Sequence, residues 1–190
     1  MAEVFTEVRH AGDFGVVVKD SSVDYSGAIK HRDNVIKTLT GGVAGLFKKN
    51  KIDLIDGFGS VTDDGNVKIG GQFDGTEIQT ERVILATGSV AKPLLDLQFG
   101  GRILDTAGMW LLNEQPSRLC VIGAGASGTE IASAFGRLGT EVLLLEALDQ
   151  ILPLEDEDIA RAAAREIKKQ NVRIETGASV EGAEASDSSV

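Results

Sequence analysis

Apolar residues along this chain follow two rhythms, and the change of rhythm divides it. Over residues 25–50, Val35, Leu39, Val43 and Leu46 recur at helical steps and draw one apolar stripe. Asp24 or Ser26 suits the N-terminal cap of that helix, and Lys48 and Lys49 suit the negative end of its dipole. Gly41 and Gly42 interrupt the helix at about 1 kcal/mol each relative to alanine, so close approach of another backbone or a ligand is expected there. Short β-like runs follow at 51–56, 66–69, 77–80 and 82–86, punctuated by Asp63-Asp64-Gly65, Gly70-Gly71 and Asp74-Gly75. That punctuation predicts an antiparallel meander. The run Val83-Ile84-Leu85-Ala86 lacks polar alternation, which predicts a central strand buried on both faces.

Residues 90–117 read as irregular, bracketed by Pro93 and Pro116, with a short helical patch at 105–112. Beyond Pro116 the rhythm becomes strand (119–122), glycine turn, helix (126–138), strand (141–146), helix (155–170) and strand (172–175). Such alternation predicts a parallel sheet covered by helices. The second of these helices opens on Glu155-Asp156-Glu157-Asp158 and closes on Lys168-Lys169, and both ends match its dipole. The tail from residue 181 is small and polar.

Composition narrows the function classes. The 190 residues carry a formal net charge of −10, and the one dense basic cluster is Lys48, Lys49 and Lys51, better explained as a solvated helix end. A nucleic-acid binder would be expected to show a basic face, and an acidic surface disfavours an anionic membrane. Cys120 is the only cysteine, so the chain holds neither a disulfide nor a dithiol centre of its own. With only His10 and His31 beside it, a structural zinc site is not expected. Residues 1–10 have no apolar core of the signal-peptide kind, and no apolar run approaches the ~20 residues of a membrane span, so the expected compartment is the cytoplasm. Glycine is in excess, with 23 residues, and no collagen period accounts for it.

Those glycines concentrate the chemistry. Val121-Ile122-Gly123-Ala124-Gly125-Ala126-Ser127-Gly128 follows an apolar strand and opens a helix, the context that makes G-x-G-x-x-G a dinucleotide fingerprint. Gly123 serves the tight turn, Gly125 the approach of a pyrophosphate, and Gly128 the packing of helix on strand. Amide groups at the helix start then face the phosphates. Glu146 ends the next strand, about 20 residues further on, where a carboxylate accepts from the ribose hydroxyls. It would repel a 2′-phosphate, and Ala147-Leu148-Asp149-Gln150 brings no basic residue to offset it, so NAD(H) is expected rather than NADP(H). Cys120 lies in a strand expected to be buried on both faces, beside no Lys, Arg or His, and there it serves as a small hydrophobe.

The order Arg82-Val83-Ile84-Leu85-Ala86-Thr87-Gly88-Ser89, then Gly123 to Thr129-Glu130, resembles the pyridine nucleotide–disulfide flavoenzymes. The stretch Leu39-Thr40-Gly41-Gly42-Val43-Ala44-Gly45-Leu46-Phe47-Lys48-Lys49-Asn50 and the stretch Asp149-Gln150-Ile151-Leu152-Pro153 resemble the dihydrolipoyl dehydrogenases within them. The resemblance covers nearly the whole chain. It implies an α/β chain made of a partial FAD-binding domain (1–117) followed by the first half of a Rossmann-type NAD-binding domain (118–190). It also implies that the family's first G-x-G-x-x-G strand, its redox C-x4-C pair and lysine, and its His–Glu pair lie outside this chain. The chain thus reads as an internal fragment, inactive alone, with no catalytic residue and no metal ligand.

Residue by residue, the resemblance implies that Thr87, Gly88 and Ser89 lie along FAD. It places Gly59 at the FAD adenine; read from the residues alone, Gly59 is equally a β-turn glycine. It assigns Gly123, Ala124, Gly125, Ala126, Ser127, Gly128, Thr129 and Glu130 to the NAD pyrophosphate segment, and Glu146 to the ribose. Val180 falls at a position whose backbone meets the NAD adenine; otherwise it is a strand-end valine. Glu130 in the family points at the flavin and pairs with a lysine, whereas in this chain alone it is a carboxylate favoured by the helix dipole. The complete parent would be a homodimeric flavoenzyme that oxidises dihydrolipoyl groups, carried on the lipoyl domain of a 2-oxo acid dehydrogenase complex, and reduces NAD. The alternatives are a mercuric-reductase-like or glutathione-reductase-like parent, or a non-catalytic NAD-binding module; Glu146 without an arginine pair speaks against the glutathione-reductase-like one.

Overall fold

The structure, a computed structural model, describes residues 1–71, 75–95, 97–184 and 186. The chain divides into two compact units, residues 1–31 with 91–190, and residues 32–90.

In the first unit, strands β4 (Arg118–Ile122), β5 (Glu141–Leu145) and β6 (Val172–Glu175) form a parallel sheet in the order β4-β5-β6. Strand β5 has a neighbour on each side, and Val142 and Leu144 on it are buried. Helices α4 (Ala126–Leu138) and α5 (Glu157–Lys168) connect the strands and bring Ile131, Ala132, Phe135 and Ile167 onto them. Burial of each large side chain in this layer contributes about 1.5–3 kcal/mol. All five elements of the strand–turn–helix alternation form where the hydrophobic rhythm predicts them. Helix α5 is supported as expected at both ends, with Glu157 and Asp158 in its first turn, Arg165 and Lys168 in its last, and Arg161 paired to Asp158 at 2.9 Å.

Helix α1 (Ala2–Arg9) lies along α4, where Arg137 Nε donates to Thr6 Oγ1 at 2.9 Å. The short helix α3 (Thr106–Trp110) is capped by Asp105, whose carboxylate accepts the Gly108 N–H at 2.7 Å, and it sends Met109 into the core. The segment entering β4 is sealed to the α4–β5 turn. Fully buried Thr140 donates to the Pro116 carbonyl at 2.7 Å, and Gln115 Nε2 donates to the Leu138 carbonyl at 3.0 Å.

The second unit holds most of helix α2 (Tyr25–Lys49) and an antiparallel meander of β1 (Phe58–Val61), β2 (Val67–Gly70) and β3 (Thr76–Ile78). Helix α2 begins at the Asp24 cap, where Oδ1 accepts the Gly27 N–H at 3.0 Å and the Ser26 hydroxyl at 2.8 Å. These bonds hold the Asp24 carboxyl below its ordinary pKa. The meander forms, but its first strand is β1 rather than residues 51–56. The turn decides this: Gly65 takes φ 78°, and Thr62 and Asn66 bond across it, so the residues flanking the turn are the ones that pair. The predicted turn at Asp74-Gly75 has Asp74 outside the described residues, as is the end of the tail.

Three further expectations change. Residues 82–86 are not a central strand: they are irregular, and Ile84 is 91% exposed. An extended run becomes a strand only where a neighbour accepts its ladder bonds, and no described residue does so. Strand β4 is not buried on both faces: its burial alternates, leaving Cys120 exposed. Gly41, Gly42 and Gly45 meet no close backbone; open space surrounds each of them among the described residues.

Candidate functional site

Strand β4 ends at Ile122, and Gly123 reverses the chain at φ 94°, a left-handed conformation suited to glycine. Its N–H donates to the Leu145 carbonyl at 2.8 Å, which keeps the turn against the end of β5. Buried Ala124 follows, with its peptide groups all occupied. Its N–H donates to Glu146 Oε2 at 2.7 Å; its carbonyl accepts from the Leu152 N–H at 2.7 Å and the Thr129 hydroxyl at 3.0 Å. Gly125 then caps α4 with no side-chain acceptor, and a Cβ there would meet nothing within 4 Å. The first amides of a helix lack intrahelical partners, so the turn presents uncapped donors beside open space. Gly128 meets the opposite condition. A Cβ on it would stand 1.9 Å from the Gly123 carbonyl oxygen, so helix and turn close together only around glycine.

Glu146 sits directly past β5 and is only 8% exposed. Its second oxygen accepts the Leu148 N–H at 3.0 Å. Each carboxylate oxygen retains a lone pair, so the group can accept further hydrogen bonds beside the turn. Ala147 beyond it is exposed and adds no charge. The chain leaving β6 returns past the same point, because the Ala178 N–H donates to the Glu146 carbonyl at 2.9 Å. Half-buried Val180 lies two residues further, in irregular chain.

These residues fit a dinucleotide: an uncapped helix start, room over Gly125, and a carboxylate hydrogen-bonded to the same turn. Thr129 is buried under the turn, with its hydroxyl spent on the Ala124 carbonyl. Ala126 and Ser127 are exposed. Glu130 is exposed too, and it borders a shallow depression with Ala2, Ser133 and Arg137. Gly136, which the sequence reading passed over, is as constrained as Gly128. A Cβ there would stand 2.2 Å from the Gln170 carbonyl oxygen and 2.6 Å from Val172. The signal that could have found it is a glycine in the interior of a strongly periodic helix.

The residues expected along FAD belong to the unit of residues 32–90. Gly59 lies within β1, opposite Ile69, rather than in a turn. Thr87, Gly88 and Ser89 lie in exposed irregular chain. Cys120 is exposed, yet nearby chain partly desolvates it and pushes its thiol pKa up, which disfavours the thiolate. Among the described residues no helix is long and apolar enough to cross a membrane, and no group of His, Cys, Asp and Glu could hold a metal ion.

Residues 3–190 match the family described as pyridine nucleotide-disulphide oxidoreductase, and the chain belongs to that family. It is 36% identical over 189 residues to a dihydrolipoyl dehydrogenase of Chlamydia pneumoniae, covering all of this chain and 41% of that protein. It is 34% identical over 181 residues to the Bacillus subtilis dihydrolipoyl dehydrogenase, covering 95% and 38%. The chain thus spans about two fifths of the length of these curated relatives. Among solved structures it is similar to the HOCl-induced flavoprotein disulfide reductase RclA of Escherichia coli, with 28% identity, a TM-score of 0.73, and 95% of this chain on 40% of that one. The LpdA structure from Mycobacterium tuberculosis shares the fold at a TM-score of 0.83 and 22% identity, over 93% of this chain and 39% of that one.

Proposed function

We propose that this member of the pyridine nucleotide-disulphide oxidoreductases is part of an NAD-dependent dihydrolipoyl dehydrogenase, and that its residues 118–190 hold the dinucleotide. The observation that carries the reading is the Gly123–Gly128 turn with the Glu146 carboxylate bonded to it. Residues 1–117 are assigned to the FAD-binding domain and 118–190 to the NAD-binding domain; the resemblance over 3–190 supports both. NAD, when bound, would accept a hydride. The chain's part is to bind and orient it. Gly125 leaves room for the pyrophosphate, with Ala124 and Ala126 on either side of it. The α4 amides at Ser127 and Gly128 attract negative charge, and Glu146 accepts from the adenosine ribose. Val180 then lies at the adenine. Contacts of Gly59, Thr87, Gly88 and Ser89 with FAD rest on family membership alone.

The similarity to dihydrolipoyl dehydrogenases further supports a homodimeric parent serving a lipoyl domain, in the cytoplasm. The 28% identity to RclA favours, as a second reading, another flavoprotein disulfide reductase; the substrate-side residues that separate the two are not among those assigned above.

Titration of NAD and NADP against the wild type and two variants tests the cofactor assignment. Two unit charges 4 Å apart interact by about 4 kcal/mol at an effective dielectric of 20, less near a salted surface. Even about 1.4 kcal/mol is tenfold in affinity. Glu146→Ala is expected to weaken NAD several-fold and to narrow the gap to NADP. Gly125→Val is expected to weaken both equally, since both carry the pyrophosphate. An unchanged NAD/NADP ratio in Glu146→Ala removes the ribose assignment.

A further inference from the structure

We propose that Thr129 and Leu152 are positioning residues that aim the Gly125 amide at the dinucleotide pyrophosphate, without touching it themselves. The peptide joining Ala124 to Gly125 carries the geometry. A trans peptide is planar, and its N–H points opposite to its C=O. The Ala124 carbonyl is turned inward, held by the Leu152 N–H at 2.7 Å and by the Thr129 hydroxyl at 3.0 Å. The Gly125 N–H of the same plane must therefore point away from both, and among the described residues it has no acceptor. A Cβ on Gly125 would meet nothing within 4 Å, so that side of the turn is open to a ligand.

The two donors come from separate parts of the fold and share one target. Thr129 lies in the first turn of α4 and is buried beneath the glycines. Leu152 belongs to the Asp149–Pro153 stretch singled out in the sequence but given no role by the cofactor assignment. Leu152 takes φ 49°, a left-handed conformation that L side chains adopt only when the surroundings enforce it. The enforcement is visible on either side of it. Ile151 is buried in the core, and the Glu155 N–H returns to the Leu152 carbonyl at 2.9 Å. The neighbouring peptide, Gly123–Ala124, is held in the opposite sense, with its N–H on Glu146 and its carbonyl toward Gly128. Glu146 thus sets one plane of the turn, and Thr129 with Leu152 sets the next.

The inference rests on the reading of residues 118–190 as the dinucleotide site, and the test separates the two. Amide exchange on the chain, read residue by residue by NMR, is combined with NAD and NADP titration of the wild type, Thr129→Val and Thr129→Ser. In the wild type the Leu152 amide is expected to be protected, although it lies outside helix and strand. Thr129→Val should speed its exchange and weaken NAD and NADP by the same factor, about three- to tenfold for one lost neutral hydrogen bond. Thr129→Ser, which keeps the hydroxyl, should restore both. A Leu152 amide exchanging as in unstructured chain overturns the proposal even if Thr129→Val fails to fold. So does a Thr129→Val that binds like the wild type, a Thr129→Ser as weak as the valine variant, or a changed NAD/NADP ratio. If the wild type binds neither nucleotide, the cofactor reading falls, and this inference with it; normal wild-type binding with an unaffected valine variant overturns this inference alone.

Discussion

The sheet unit around β5 and the α2–meander unit of residues 32–90 both carry apolar faces, and those faces meet opposite fates. On β5, Leu144 is 0% exposed, with Val142, Phe135, Ile151 and Val172 packed around it. In residues 32–90, Ile69 is the one buried residue among those described, and α2 displays its whole stripe, with Leu39 at 65% exposure. Periodicity records that a face is fit to be covered. Whether it becomes core depends on what stands opposite, and the Val35, Leu39, Val43 and Leu46 stripe of α2 is exposed.

The glycines offer the sharpest way to break that contrast, since one substitution should have opposite signs in the two regions. Gly136→Ala and Gly128→Ala each drive a Cβ into backbone and should destabilise the sheet unit by about 3 kcal/mol or more. Urea unfolding followed by circular dichroism measures this, and a change under about 1 kcal/mol would mean that the close approach relaxes at little cost. Next in size, Leu144→Ala should cost about 2–5 kcal/mol, whereas Leu39→Ala should change stability by less than about 0.5 kcal/mol. Equal losses in the two variants would show that α2 is covered in solution and would erase the distinction.

A smaller effect is expected from Gly41→Ala and Gly42→Ala. Both sites are open, so each should raise the stability of α2 by about 0.8–1 kcal/mol. A loss of helicity instead would reveal a neighbour pressed against that face. The smallest effect is pH-dependent. The folded Asp24 carboxyl is held below its ordinary value of 3.8, so its contribution to the α2 start is fully present above that value. It is lost only as pH falls through the lower folded value. Protection of the Gly27 amide, relative to its intrinsic exchange rate, should fall over that acid window, and Asp24→Ala should abolish the dependence.

How far each feature could be read in advance follows from the range of the interactions that make it. Helix α4, helix α5 and strands β5 and β6 were legible because local rhythm and flanking charge specify them. The glycine turn was legible for the same reason: φ 94° at Gly123 and the steric demand at Gly128 are consequences of a few consecutive residues. The nearness of Glu146 to that turn was legible too, since adjacent parallel strands end together.

Other features needed partners that are distant in sequence. Residues 82–86 carry the composition of a central strand, but a strand is a relation between two segments, and composition names only one of them. The exposure of Cys120 depends on what covers its face of β4, and the start of the meander at β1 followed from cross-turn bonds at Thr62 and Asn66. Gly136 was silent until Gln170 was placed against it. Thr129 and Leu152 meet at one carbonyl from positions 23 residues apart, a convergence that no spacing rule encodes. The sequence by itself determined which segments could form elements and which turn only glycine could make. Tertiary structure decided which apolar faces were covered and which peptide planes were held, because both depend on groups that only folding brings within a few ångströms of each other.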